Sequence, residues 1–244
     1  MCAAQGRLYV GTSGYQYDHW RGVFYPDDIP KKDWFNYYTE YFDTVEINNT
    51  FYNLPSPETF KRWAEEAPDD FCYTLKYSRY GSHIKKLKDP QDTITYFLER
   101  AKYLSHKIGP ILVQLPPGWK VNTERLENFL EAIDKNYRWV LEFRNSAWLC
   151  EDVFDILRRH NVALCIHDMI SDHPWINTAD WTYLRFHGED YAGCYSQSYL
   201  DEVAAYVAEN LNNGLDVYAY FNNDAEGYAV QNARDLKDIL TGEK

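Results

Sequence analysis

Eight short apolar runs recur along the chain, and stretches with helical spacing separate nearly all of them. The runs are Leu8–Gly14, Thr44–Asn48, Phe71–Tyr77, Pro110–Leu115, Trp139–Arg144, Val162–His167, Thr182–His187 and Asp216–Asn222. Their length and their β-branched and aromatic content predict strands covered on both faces. Between them, Lys32–Phe42 carries Trp34, Tyr38, Tyr41 and Phe42 on one stripe, and Ser56 caps a helix with Pro57 at its first position. Asp89-Pro90 opens a helix striped by Ile94, Phe97, Leu98, Ala101 and Leu104. The next, from about Thr123, uses Leu126, Phe129, Leu130 and Ile133. Asp152–His160 follows, then a helix on Leu200, Val203, Val207 and Leu211 that ends at Asn212-Asn213-Gly214, and a last one on Val230, Ala233, Leu236 and Ile239.

Strands alternating with helices imply parallel pairing through right-handed crossovers. Eight such units predict a TIM (β/α)₈ barrel, one α/β domain over residues 1–244, with long loops after strands 1, 6 and 7. An open doubly wound sheet is the alternative. It would want a Gly-rich phosphate turn after an early strand, and GTSG followed by an aromatic loop is a poor one.

Barrels of this kind place their chemistry at the C-terminal ends of the strands. Those ends supply Ser13, Glu46, Asn48, Lys76, Gln114, Glu142, Arg144, His167, Asp168, Arg185, His187 and Asn222, whereas the strand starts supply far fewer charges. A carboxylate and a guanidinium at the end of an apolar strand cost desolvation unless something uses them. Glu142 and Arg144 share a face by the two-residue period, as do Arg185 and His187, and Glu46 and Asn48. Catalytic roles are expected for Glu46, Lys76, Glu142 and His187, with Glu142 or Glu46 as the base. Arg144 should lower the pKa of Glu142, which then suits a base, nucleophile or ligand better than a proton donor. Lys76, Arg144 and Arg185 suit a phosphate or carboxylate on the substrate, and Gly188 would let backbone approach a ligand. Ser13, Gln114, Asn222 and Asn223 complete the expected binding set, and Tyr15 and Tyr52 stand for the aromatic loops, whose faces could stack on sugars or bases. Tyr17, Trp20, Phe51, Trp119, Trp148, Tyr191 and Tyr195 belong to the same loops.

Glu46, Glu142, His167, Asp168 and His187 are the residues a divalent metal could use, but no HxH or HExxH spacing supports one. No cofactor motif is present, and the cofactor stays open. His19, His83, His106, His160 and His173 read as surface or capping residues. Asp224, near the start of the last helix, argues against a phosphate bound at that helix end.

The net charge of −12 disfavours non-specific nucleic-acid binding, though a local basic pocket remains open. No apolar run approaches the roughly 20 residues of a membrane span, and MCAAQGRLYVG is no signal peptide. Five cysteines, Cys2, Cys72, Cys150, Cys165 and Cys194, form no CxxC pair and read as free thiols in a reducing cytoplasm. A small anionic or sugar-like substrate is the expected partner, with hydrolase, lyase and isomerase chemistry all open. A nucleic-acid-binding protein or metal-dependent nuclease, and a non-catalytic ligand-binding barrel, are the alternatives.

GTSGYQYDHWRGVFYP, INNTFYNLPSPETFKRW, VQLPPGW, LEFRNSAW, YLRFHG and YAYFNNDAEGYAVQNARDL together resemble the YecE-like family, domain of unknown function 72, over nearly the whole chain. The resemblance implies a TIM barrel and leaves the activity open. Barrels of the broader class include sugar isomerases and abasic-site endonucleases, an analogy of fold only. The chain departs from the family pattern at Tyr15, where Trp is usual, and at Asn145, where His usually follows the arginine. A proton-transfer role for that His would be lost here.

Overall fold

The computed structural model describes residues 5–188 and 192–242, so Cys2 and Tyr191 lie outside the described residues. The strands are β1 (Leu8–Thr12), β2 (Thr44–Ile47), β3 (Cys72–Lys76), β4 (Ile108–Gln114), β5 (Trp139–Glu142), β6 (Ala163–His167), β7 (Trp181–Phe186) and β8 (Asp216–Phe221). The helices are α1 (Trp34–Thr39), α2 (Asn49–Tyr52), α3 (Pro57–Glu66), α4 (Pro90–Ala101), α5 (Thr123–Ala132), α6 (Glu151–Arg159), α7 (Gln197–Asn212) and α8 (Tyr228–Thr241). The strand order is β1-β8-β7-β6-β5-β4-β3-β2 and the described ladders are parallel. Sequence neighbours that pair in parallel, joined by helices, define the α/β TIM-barrel class. No helix among the described residues is long and apolar enough to cross a membrane.

The chain divides into two compact units, residues 1–46 with 181–244, and residues 47–180. In the first, β1 runs beside β8 from Leu8↔Val217 to Thr12↔Phe221, and β7 beside β8 from Trp181↔Asp216 to Phe186↔Phe221. A bridge between Ser13 and Glu46, with the Gly14 N–H donating to the Glu46 carbonyl at 2.8 Å, ties the end of β1 to β2. Gly11 permits this approach, because a Cβ there would sit 2.4 Å from the Thr44 carbonyl oxygen. The aromatic loop after β1 folds onto α1: Tyr25 stacks on Trp34 at 4.4 Å, and the Trp20 indole donates to the Asp224 carbonyl at 3.0 Å. Trp20 and Tyr25 are therefore core residues, not a platform for a ligand.

In the second unit, β4 aligns with β5 from Ile111↔Trp139 to Gln114↔Glu142, which brings the polar ends of both strands to one level. Ser56 caps α3 by accepting from the Thr59 N–H, and Asn122 caps α5 by accepting from Arg125. Trp148, expected in an open loop, is buried and donates to the Trp119 carbonyl at 2.8 Å.

Three local expectations change. The helix expected over Lys32–Phe42 is a 3₁₀ turn at Lys31–Asp33 followed by the shorter α1, since a stripe at three-residue spacing serves either helix type. The segment that carries Phe51 and Tyr52, expected among the aromatic loops, contains α2, too short to show a period. The segment between the expected third strand and the Asp89-Pro90 helix start, for which no element was expected, winds into a single π turn at Tyr80–Ile84. Residues 168–180 after β6 form no helix or strand, as expected from their polarity and Pro174.

Candidate functional site

The strand ends produce two clusters, one in each unit. The first is built on β7, where the alternation of TYLRFH turns Tyr183, Arg185 and His187 to one face. Glu46 is fully buried against them. Its Oε1 accepts from Ser13 Oγ and from Arg185 Nη2, both at 2.6 Å. Its Oε2 accepts from Tyr183 OH at 2.5 Å and Arg185 Nε at 2.9 Å. Burial alone would push the Glu46 carboxyl up, but the Arg185 charge and these four bonds reverse that and hold it below the usual carboxylate range. Tyr183 moves the other way, well above an ordinary phenol, through burial and the adjacent Glu46 charge. Arg185 Nη1 lies 3.1 Å from His187 Nε2. A guanidinium only donates, so Nε2 is the acceptor and the ring proton sits on Nδ1. The expected base Glu46 is thus a carboxylate with both oxygens committed, and Ser13 and Arg185, expected to bind substrate, both donate to it.

The other expected residues of this unit serve the loops. Tyr15 packs on Phe35 and Tyr38, at centroid distances of 5.3 and 5.7 Å, so the change from the family's Trp falls at a packing position. The Asn222 backbone N–H donates to the Phe186 carbonyl at 2.7 Å. Asn223 is buried and donates from Nδ2 to the Gly193 carbonyl at 2.8 Å and to Asn232 Oδ1 at 3.0 Å. Gly188, expected to admit a ligand, admits the chain itself: a Cβ there would meet the Gly193 carbonyl oxygen at 2.8 Å, and its φ is +69°.

The second cluster gathers at the ends of β3 to β6. Glu142 is fully buried and its Oε1 is paired with Arg144 Nε; Cys165 Sγ lies 4.0 Å from Oε2. β5 stops at Glu142, so Arg144 reaches it from the following turn rather than along a strand face. Gln114 is the register partner of Glu142 on β4. Lys76 ends β3 with its ammonium 4.8 Å from the Phe51 ring centroid, and the His83 ring lies 5.0 Å from the same centroid.

Two histidines expected at the surface belong here. His83 is half-buried, and burial with the Lys76 and Arg79 charges lowers its pKa to about 4 against the opposing pull of Glu142. His173 is buried, and burial with His167 lowers it to about 4, again opposed by Glu142. His173 Nδ1 lies 3.0 Å from the Pro174 carbonyl, to which it must donate, so Nε2 carries the lone pair; that Nε2 is buried without a hydrogen-bond partner. His167, 4.5 Å away ring to ring, has Nε2 on the Phe143 carbonyl at 2.8 Å and Nδ1 accepting from the Met169 N–H at 3.2 Å. Both His167 nitrogens are therefore committed, which removes it from the residues a metal could use. Among the described residues, no group of three His, Cys, Asp or Glu side chains could hold a metal ion.

Asn48 and Tyr52 fall on α2. β2 ends at Ile47 and Asn48 precedes the first turn of α2 without a capping bond from its side chain, so strand alternation does not relate it to Glu46; its Oδ1 is buried and unpartnered. Tyr52 is exposed. Asn145 uses both ends of its amide, Nδ2 on the Pro117 carbonyl at 3.0 Å and Oδ1 accepting from Ala147 N–H at 3.0 Å, which caps the turn Ser146–Trp148. The residues missed from sequence are Tyr183, which the two-residue period could have given, and His83, Cys165 and His173. The two histidines are buried by turns that carry no periodic signal.

Strand order and the polar strand ends define a protein of the TIM-barrel class, and the likeness to solved barrels agrees. A DUF72 family protein from Thermotoga maritima MSB8 superposes with a TM-score of 0.88 at 30% identity, covering 96% of this chain and 99% of that one. A xylose isomerase-like TIM barrel/4-hydroxyphenylpyruvate dioxygenase fusion protein matches at a TM-score of 0.51 and 14% identity, over 97% of this chain and 42% of that one, a likeness of fold alone. The chain belongs to the family described as protein of unknown function DUF72, whose profile matches residues 9–244. UPF0759 protein YunF of Bacillus subtilis is 23% identical across 96% of this chain and 94% of its own length. UPF0759 protein YecE of Escherichia coli K12 is 34% identical over 115 residues, 47% of this chain, and the chain spans only 42% of YecE in that match.

Proposed function

We propose that the ends of β3 to β6 form the active site of an enzyme that moves a proton on a small anionic, hydroxylated substrate. One observation carries this: a buried imidazole, His173, is held neutral by its burial and by His167, against the pull of the Glu142 charge, with its Nε2 lone pair unpartnered. A buried acceptor without a donor costs free energy unless a ligand supplies one. A substrate hydroxyl is such a donor. Lys76 and Arg144 supply positive charge for the anionic group. Glu142 is the base, with the Arg144 ion pair setting its geometry. Glu46 is a positioning residue that fixes Arg185 and, through it, the His187 tautomer. Cys72, Cys150, Cys165 and Cys194 keep thiol side chains rather than disulfides, which supports a reducing cytoplasm as the compartment.

The test is a thermal-shift panel of sugar phosphates and sugar acids, followed by turnover assays on whichever ligand binds. Native-state binding raises the midpoint by mass action. The expected result is a shift with an anionic sugar that is lost in Lys76→Ala and kept in Glu142→Gln, while Glu142→Gln loses at least about 100-fold in turnover. Full turnover in Glu142→Gln would remove Glu142 from the chemistry. No shift with any anionic ligand would remove the substrate class.

A further inference from the structure

The second unit carries a groove of about 890 Å³ bounded by α2, which follows β2, the turn Tyr80–Ile84, which follows β3, and α4. Its walls present Tyr52, Tyr80, Ile84 and Tyr96, which are 73%, 57%, 58% and 56% exposed. Large aromatic side chains gathered in one concavity and left in water mark a surface that something covers. Tyr80 and Tyr96 each have a cation close to the ring, Lys85 Nζ at 5.9 Å and Arg100 Cζ at 3.8 Å from the centroids.

Charge identifies what covers it. Residues 47–180 hold 17 Lys and Arg against 19 Asp and Glu, while the rest of the chain holds 8 against 18, so most of the net −12 lies outside this unit. Within it, residues 71–88 contain Lys76, Arg79, Lys85, Lys86 and Lys88 and no acidic residue. Arg79 and Lys85 line the groove itself, and the carboxylate on its lining is Asp92, in the first turn of α4. A row of cations interleaved with exposed tyrosine faces fits a chain of phosphates bearing flat, unstacked bases.

We propose that this groove binds single-stranded nucleic acid, with bases stacked on Tyr52, Tyr80 and Tyr96 and phosphates on Arg79 and Lys85. Duplex is excluded because its bases are already stacked on each other. The groove adjoins the strand-end cluster at Phe51, whose ring lies 4.8 Å from the Lys76 ammonium, but Glu142 is not among its walls, so the two readings can fail separately.

The experiment is fluorescence anisotropy of the full chain with labelled dT12, a 12-base-pair duplex and dTMP as competitor. Binding of dT12 is expected to weaken roughly 7-fold between 50 and 200 mM salt, the fall for about two phosphate contacts on a single strand. Tyr52→Ala with Tyr96→Ala should weaken it at least about 10-fold, as lost stacking does. Arg79→Glu with Lys85→Glu should weaken it and flatten the salt slope. These positions are solvent-accessible, so an unchanged melt by circular dichroism separates lost binding from lost folding. Glu142→Gln should bind dT12 as the parent does, even if every sugar ligand fails. No binding of dT12 at 50 mM salt, equal binding of duplex, dTMP competing as well as dT12, or indifference to both double variants would each overturn the proposal.

Discussion

Glu46 and Arg185 form a buried ion pair in which every bond to the carboxylate is supplied by a named neighbour. Such a pair gains little over an apolar substitute, but removing one partner leaves the other charge stranded. Glu46→Gln is therefore expected to destabilise the fold by about 3–5 kcal/mol, read as a lower urea midpoint with an unchanged denaturant slope. Ser13→Ala removes one neutral donor to the same carboxylate and should cost about 1–3 kcal/mol in the same measurement. At this scale the sequence shows which residues meet and not what they do there. The two-residue alternation places Arg185 beside His187, and Glu46 was visible as a charge at an apolar strand end. Neither shows that all of Glu46's bonding capacity is used internally, because that depends on Ser13 and Tyr183 arriving from other strands. His173 was the hardest to foresee: residues 168–180, which bury it, have no period from which a direction can be read.

Lys107 shows how elements are joined. It is a buried lysine whose Nζ donates at 2.6 Å to the carbonyls of Ala64 and Ala67, closing the C-terminus of α3. Lys107→Met keeps the stem's packing and removes the donors, so two orphaned carbonyls should cost about 1–3 kcal/mol in chemical denaturation. Two residues earlier, Ser105 sits at φ 55° and ψ −131°, a region open to glycine and strained for other residues. Ser105→Gly should then raise stability by about 1 kcal/mol in the same assay, and a loss of stability would show that the Ser105 backbone is unstrained. The strands and long helices were legible because burial on both faces, and then on one stripe, writes a period into the chain. The π turn, the four-residue α2 and the 3₁₀ segment Lys102–Lys107, which takes Leu104 out of the expected helix, are shorter than any period and are set by tertiary packing.

For the whole molecule, the acid side of the stability profile tests the neutral histidines. His83 and His173 fall to about 4 in the folded chain, whereas in the unfolded chain each titrates near 6.5. Between those values the unfolded state binds more protons, so stability must rise with pH through the window and be lost as pH falls from about 6.5 towards 4. Glu46 adds a second loss lower down: its folded pKa is depressed, so its contribution is complete above the ordinary carboxylate range and disappears as pH falls below it. The net charge of −12 acts in the opposite sense, since neutralising carboxylates relieves self-repulsion on acidification. That opposing effect is long-ranged and screened, so at about 0.5 M salt the histidine slope should remain while the repulsion fades. Urea denaturation at half-unit steps from pH 7.5 to 4.5 should show stability falling below pH 6.5, with a shallower fall in His173→Asn and in His83→Asn and no difference in slope above pH 7. A parent profile flat from 6.5 to 5, unchanged in both variants, would mean that these imidazoles protonate as freely folded as unfolded. The lone pair of His173 would then not be poised for a substrate hydroxyl, and the active site proposed at the ends of β3 to β6 would lose the observation it stands on.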